Sequence, residues 1–174
     1  MSTDSLLSNR NPSLLHPLLR KALWVMQPIL QAEGYPFGIF EGFRSPERQA
    51  KLYARGRTSP GRIITRAKAW ESYHQYGLAA DMVALPEGKW SWSVPQAWWD
   101  RLHALGREHG LEALSFEQPH LQLANLKLSD LKKGVLPEGD AIWANNIRLA
   151  AESEAGLMPV AIALRIDPDL PPAA

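Results

Sequence analysis

The sequence predicts a single α+β domain in which helices flank a small, mostly antiparallel sheet. Three observations predict it. With 174 residues, 45% of them hydrophobic and 21% charged, the chain is long enough for one core and too apolar for disorder. Helical periodicity and short strand-like runs are mixed along it, without the regular alternation of a doubly wound fold. Glycine and proline separate the segments, and neither an internal repeat nor a long linker divides the chain.

The first helix is expected from about Pro17 to Glu33. Leu19, Ala22, Leu23, Met26 and Leu30 fall at i, i+3, i+4, i+7 and i+11, a core-facing stripe. Pro28 lies inside that stripe and should kink or interrupt it, and Gly34 is the stop. "FGIFEGF" reads as a short strand, rich in aromatic and branched residues. A second helix follows, with Ser45 as N-cap, Pro46 at the first helical position, Glu47 at the positive helix end and Gly56 closing it. "GRTSPGRIITRAKAW" reads as a loop, and the small apolar "LAADMVAL" as a buried strand. A third helix starts at Pro95 and ends at Gly110, with Trp98, Trp99, Leu102 and Leu105 turned inward. "LEALSF" and "HLQLAN" are strands separated by a turn at Glu117 to Pro119. A last helix covers about Asp140 to Glu154, ahead of a frayed Pro-rich tail, "DPDLPPAA".

Composition narrows the function classes. No apolar run approaches the ~20 residues that span a bilayer, so no membrane insertion is expected. The N-terminus lacks the cationic start and apolar stretch of a secretory signal, which points to synthesis in the cytoplasm. The absence of cysteine removes disulfides, thiolate nucleophiles and cysteine zinc sites together. Any metal must be held by carboxylates and by the five histidines: His16, His74, His103, His109 and His120. A net charge of +1 gives no case for nucleic acid. Charge is nevertheless uneven. Between Glu41 and Glu71, Arg44, Arg48, Lys51, Arg55, Arg57, Arg62, Arg66 and Lys68 face Glu41, Glu47 and Glu71. This segment is either a solvated helix face with its loop or a surface that attracts an anionic polymer.

"SYHQYGLAAD", Ser72 to Asp81, places an imidazole and a carboxylate seven positions apart around small residues. It reads either as a surface turn leading into a buried strand or as two ligands of a metal ion. A catalytic zinc takes three protein ligands and keeps one open position. The best third ligand is His120 in "FEQPHLQ": if His120 starts a strand, Gln122 shares its face while Leu121 and Leu123 face the core. Glu117 lies three residues before His120. Pro119 opposes a continuous helix, so Glu117 reaches the site only if the turn curls back, and there it is the natural general base. Zinc lowers the pKa of water from roughly 15.7 to about 7, on the order of 12 kcal/mol at ~1.36 kcal/mol per unit. Ser72 has no His–Asp partner other than the proposed ligands, so it is no credible nucleophile. Arg44, at a strand-to-helix junction, is either a capping or salt-bridge arginine or the holder of a developing oxyanion or substrate carboxylate. His103 and His109 lie on a structural helix near its C-terminal end, and His16 belongs to a loop. "KWSWSVPQAWW" reads as core packing at a helix start rather than as a sugar-stacking surface.

Together, "GFRSPERQAKLYARGRTSPG", "SYHQYGLAAD" and "EQPH" resemble the zinc peptidases that include D-alanyl-D-alanine dipeptidases and carboxypeptidases and the L-alanyl-D-glutamate endopeptidase endolysins of phages. Ser-x-His-x-x-Gly-x-Ala-x-Asp is matched at Ser72, His74, Gly77, Ala79 and Asp81, and Glu-x-x-His at Glu117 and His120. Arg44 and Gln49 match Arg-Ser-x-x-x-Gln, and "LYARGRTSPG" looks most like the endolysin branch. The resemblance covers roughly Phe37 to Gln122.

This resemblance implies a hedgehog / D-Ala-D-Ala peptidase-like fold, with residues 1–136 as the zinc peptidase domain and 137–174 as a helix and tail packed on it. It implies one Zn2+ per chain on His74, Asp81 and His120. Glu117 becomes base and then proton donor, and Arg44 the group that polarises the scissile carbonyl. Ser72 and Gln49 form hydrogen bonds behind the ligands. The implied substrate is the peptidoglycan stem peptide, cut at the L-alanyl-D-glutamate bond by a monomeric phage or prophage lysis enzyme that acts on the wall after release. Two departures stand out. The Trp-Gly-Gly-like segment of that branch is replaced by "GLEALSFEQPH", and the part after Lys133 matches no family motif. A D-alanyl-D-alanine carboxypeptidase or dipeptidase is the nearest alternative. A zinc-stabilised wall-binding module without turnover is the alternative of another class.

Overall fold

The computed structural model describes residues 7–153. The tail "DPDLPPAA" lies outside the described residues. Four strands, β1 (Phe37–Glu41), β2 (Ala79–Ala84), β3 (Leu111–Leu114) and β4 (Glu117–Leu123), form one sheet in the order β1-β2-β4-β3. Every neighbouring pair is antiparallel. Helices α1 (Pro17–Ala32) and α3 (Gln96–Glu108) cover one face. Their inward side chains, among them Leu19, Leu23, Met26, Trp99, Leu102 and Leu105, join Ala80, Met82, Leu111, Leu121 and Leu123 of the sheet in the core. Burial of this kind supplies roughly 25 cal/mol per Å² of apolar surface. The domain is thus α+β, with its chemistry left to the opposite face.

Helix α1 runs through Pro28 without a break. Pro28 and Trp24 both lie on the exposed side, where water serves the carbonyl that loses its helical partner. His16, expected in a loop, is fully buried and caps this helix. Its Nδ1 accepts from the Leu18 N–H at 3.3 Å, and its Nε2 donates to the Glu138 carbonyl at 2.8 Å. Helix α2 (Pro46–Ala54) starts as expected, the Ser45 hydroxyl accepting from the Arg48 N–H at 3.2 Å. It ends two residues before Gly56, which stands at φ +72° against the Ile63 backbone.

The turn between the last two strands is displaced from its expected place. It sits at Ser115–Phe116, and Glu117 to Pro119 belong to β4. Leu114 pairs with Glu117 while Ala113 pairs with Leu121, so residues 118 to 120 bulge out of the ladder. Pro119 lies in that bulge, where its missing N–H leaves no ladder bond to β3 unmade. Four short pieces had no forecast, a one-turn α4 (Leu128–Leu131) and 3₁₀ turns at Pro12–Leu14, Tyr73–Tyr76 and Pro86–Gly88. Helix α5 (Ala141–Glu152) is capped by Asp140, which accepts from the Trp143 N–H at 2.8 Å and pairs with Arg20 at 2.6 Å. Trp143 is fully buried and donates its indole N–H to the Tyr76 carbonyl at 2.7 Å. Helix α5 is thereby bonded to the segment that carries His74.

Candidate metal centre and cleft

The 3₁₀ turn at Tyr73–Tyr76 answers why "SYHQYGLAAD" is built as it is. Ser72 caps the turn and forms a reciprocal capping box with Gln75. Gly77 ends it at φ +64°, where a Cβ would lie 2.7 Å from the Leu14 carbonyl oxygen. The chain then enters β2, the strand between β1 and β4 and buried along its whole length. His74 is held above the sheet by the turn, and Asp81 rises from the strand beneath it.

Strand register supplies the rest. Glu41 pairs with Asp81 and Asp81 with His120, so these side chains form a row across three strands. A bulge between Ile39 and Glu41 brings Glu41 onto this face. The β4 bulge acts in the same way on Glu117. Leu114 follows Ala113 and so faces away from the core, and its partner Glu117 shares that direction with His120 and Gln122. His103 on α3 holds this bulge by donating to the Gln118 carbonyl at 2.7 Å. Glu117 is exposed, while His74, Asp81 and His120 are buried. All four line one cleft of about 940 Å³, a size suited to a peptide segment.

His74, Asp81 and His120 each turn one ligand atom to a common point, with these atoms within 4.8 Å of one another. The carboxylate oxygen Oδ1 of Asp81 lies 3.2 Å from His74 Nε2 and 3.3 Å from His120 Nδ1. The imidazoles' other nitrogens are committed elsewhere. His74 Nδ1 donates to the Gly42 carbonyl at 2.7 Å, which leaves Nε2 as its lone-pair donor. His120 Nε2 faces Gln122 Oε1 at 2.9 Å, and Gln122 Nε2 donates to Glu112 Oε1 at 2.6 Å. The Glu112 carboxylate only accepts, so it turns the Gln122 amide and fixes the proton of His120 on Nε2. Two neutral imidazole lone pairs and a carboxylate then face one another, an arrangement that calls for a cation. Nitrogen and oxygen donors in this number, with a side open to the cleft, suit zinc. Replacing Gln122 by leucine is expected to weaken zinc affinity by about 10–100-fold, the usual loss when such an outer partner is removed. Competition with a chromogenic chelator measures this; unchanged affinity in Gln122→Leu removes the amide from the site.

Electrostatics favour the ionised carboxylate. When the imidazoles are protonated instead, they supply that positive charge themselves: burial opposes the charge on Asp81, but the charge of His74 and hydrogen bonds from both imidazolium rings outweigh it and hold the carboxyl far below its usual range. Burial likewise pulls the His120 imidazole down, and Asp81 more than reverses this.

Arg44 is anchored by neighbouring side chains. Its Nε and Nη2 donate to Glu41 Oε2 at 3.0 and 2.6 Å, Nη2 reaches Asp81 Oδ2 at 3.2 Å, and Nη1 reaches Gln49 Oε1 at 3.2 Å. Gln49, fully buried, also accepts from Gln75 at 2.9 Å and donates to the Ala67 carbonyl at 2.6 Å. Its place is behind Arg44, as Ser72's is behind His74. Arg48 donates to the other oxygen of Glu41. Here two arginines balance two carboxylates, so much of the forecast basic segment is spent internally. Arg57 is likewise bonded to the Tyr53 and Thr65 carbonyls. Lys51, Arg55, Arg62 and Arg66 remain exposed.

Sequence reading gave no role to Glu41 or Glu112, because an isolated glutamate in a short strand carries no signal until the register is known. Burial opposes the Glu41 charge, yet the Arg48 hydrogen bond and the Arg44 charge keep its carboxyl below the ordinary 4.5. The folded protein thus binds this proton less readily than the unfolded chain. The resulting stability is complete above the ordinary carboxylate range and is lost as pH falls through the lowered value. Glu41→Gln is expected to cost about 1.5–3 kcal/mol at neutral pH by removing the carboxylate that two half-buried guanidinium groups share. Urea unfolding across pH should show the variant without that part of the wild type's acid sensitivity.

Residues 12–118 match the family described as VanY, D-alanyl-D-alanine carboxypeptidase, and the chain belongs to that family. It is similar to the peptidoglycan L-alanyl-D-glutamate endopeptidase CwlK of Bacillus subtilis (strain 168), with 44% identity over 70 residues, 40% of this chain and 42% of that protein. The chain therefore matches less than half the length of this curated relative. Among solved structures it is similar to the Serratia marcescens L-Ala D-Glu endopeptidase ChiX, with 25% identity, a TM-score of 0.42 and coverage of 71% of this chain and 94% of that one. A second neighbour is the LdcB LD-carboxypeptidase, with 20% identity, a TM-score of 0.44 and coverage of 92% and 81%.

Proposed function

We propose that this protein is a zinc-dependent peptidoglycan endopeptidase that cuts the stem peptide at the L-alanyl-D-glutamate bond. The observation that carries this reading is the convergence of His74 Nε2, Asp81 Oδ1 and His120 Nδ1 in a cleft that Glu117 also lines. The 44% identity to CwlK over 70 residues supports the choice of bond. Residues 1–136 form the peptidase domain in this reading and 137–174 its C-terminal helix and tail; the packing of that helix on the domain is supported by the bond from Trp143 to Tyr76.

His74, Asp81 and His120 would hold the ion. Bound there, zinc supplies Lewis-acid charge for the scissile carbonyl and brings the pKa of water towards neutrality. Glu117 takes the proton from the attacking water and returns it to the leaving amine, so its carboxyl ends as it began. Arg44, held by Glu41, Asp81 and Gln49, has a remaining Nη1 hydrogen with which to stabilise the developing oxyanion, and its anchors remove the cost of reorienting it. Ser72 and Gln49 position the ligand turn and the arginine.

Mass spectrometry of digested peptidoglycan tests the bond: new C-terminal L-alanine and N-terminal D-glutamate are expected. The family's description favours a second reading, D-alanyl-D-alanine carboxypeptidase, which would release free D-alanine instead. Binding to wall material without any new terminus would leave only a zinc-stabilised binding module. As a lysis enzyme of phage or prophage origin, the protein would act as a monomer on the wall from which the stem peptide projects.

A further inference from the structure

Phe40, Trp90 and Trp92 form an aromatic cluster that meets the cleft through Phe40. The Phe40 ring centroid lies 5.7 Å from that of Trp90 and 4.9 Å from that of Trp92, both edge-on. Trp90 and Trp92 are 46% and 48% exposed. The expectation that "KWSWSVPQAWW" is core packing holds only for its second half. Trp99 is buried and Trp98 packs edge-on against Tyr35 and Phe37, whereas the first pair stays in solvent. Their backbone is fixed, since the Ser91 N–H between them donates to the Ala84 carbonyl of β2 at 2.9 Å. The Arg10 guanidinium lies over one face of the Trp90 ring, 4.1 Å from its centroid, and steadies that indole while its other face stays available. Trp24 is more exposed still, yet among the described residues it has no ring neighbour.

We propose that this cluster is a glycan subsite that holds the N-acetylated sugar bearing the stem peptide. The inference rests on the L-alanyl-D-glutamate reading and deepens it. Position carries it first. Phe40 lines the cleft and directly precedes Glu41, whose partner in the register is Asp81. In peptidoglycan the nitrogen of L-alanine joins the sugar ring through a lactyl group, so one residue and that short linker separate the ring from the bond in question. An extended residue spans roughly 3.3–3.6 Å and the lactyl unit about as much again, which places the ring roughly 7 Å from the cut bond, within reach of Phe40 beside the metal row. A D-alanyl-D-alanine bond lies three residues further on, about 10 Å more, and gives no reason for a sugar surface so close. Chemistry agrees with position. A pyranose presents faces of C–H groups that stack on aromatic rings, and each exposed indole adds an N–H donor for an acetamido oxygen. Exposed rings of this size, continuous with a cleft, mark a binding surface rather than scattered surface apolarity.

The test has two arms on the full chain. First, a peptide-free N-acetylglucosamine tetrasaccharide is titrated into 15N-labelled protein while the indole N–H signals are followed. Those of Trp90 and Trp92 are expected to move, and that of buried Trp143 to stay. Second, kcat/KM is compared for a disaccharide-bearing stem peptide and the same peptide without sugar. The wild type is expected to favour the former by about 10-fold or more, equivalent to one good contact, and the double variant Trp90→Ala/Trp92→Ala to bring the ratio towards one. Unmoved indole signals together with an unaltered ratio in the variant would overturn the subsite. So would sedimentation showing a dimer that the double variant dissolves, which would assign the rings to a second copy of the chain. If neither peptide is cut, the endopeptidase reading fails, while the saccharide titration still decides the platform.

Discussion

Glu117→Gln lowers stem-peptide hydrolysis by about 10²–10⁴-fold, the usual contribution of a positioned general base and acid. It leaves the fold and the zinc content unchanged. Both halves follow from where Glu117 stands: exposed at the start of β4, on the face shared with His120 but outside the ligand set. Substitution there removes no core contact and strands no buried charge, so thermal unfolding should match the wild type. The measurement is the release of new amino groups from purified wall material at fixed zinc, with metal content determined on the same sample. Wild-type turnover in Glu117→Gln would refute the assigned base and move the proton transfer to another group in the cleft. If the variant lost its metal as well, Glu117 would be a ligand, and the open side of the site would need to be placed again.

His120→Ala abolishes activity by a different route, through loss of the ion. Wild-type protein is expected to bind one zinc per chain and the variant to retain almost none after dialysis against a weak chelator. Two donors remain in the variant, below the three that catalytic zinc sites use. The lost activation of water is on the order of 12 kcal/mol, enough to put the rate below detection. The substitution also changes the apo protein, because Asp81 keeps its charge in a buried position and loses one hydrogen bond from its side. His109→Ala is the matched control. His109 caps the C-terminal end of α3 and does not line the cleft, so that variant should keep both its zinc and its rate. Equal zinc content in His120→Ala and the wild type would dissolve the proposed ligand set.

The two kinds of residue in these tests were unequally legible in the chain. His74, Asp81 and His120 stand out because imidazoles are few, cysteine is absent and their spacings match a family pattern. Glu117 was visible as a residue but not as a neighbour. A three-residue separation in a regular strand would send it to the opposite face from His120, and only the bulge at 118 to 120 restores the shared direction. Arg44 was legible in type, but its attachment to Glu41 was not, because that contact depends on a second bulge in β1. The tryptophans misled for a related reason. Sequence gives their apolarity, whereas burial depends on which side of a helix start meets the sheet. Trp98 and Trp99 meet it, and Trp90 and Trp92, held out by the Ser91 bridge, do not.

By itself, then, the sequence determined the helices, the strands and the donor atoms available to a metal. Periodicity, caps and residue chemistry are local properties, written within a few positions of one another. Tertiary structure decided which face each glutamate occupies, which nitrogen of each imidazole is free, and which indoles remain in water. Those depend on strand register and bulges, where a shift of one residue reverses every side chain, and register is set by packing between segments far apart in the chain.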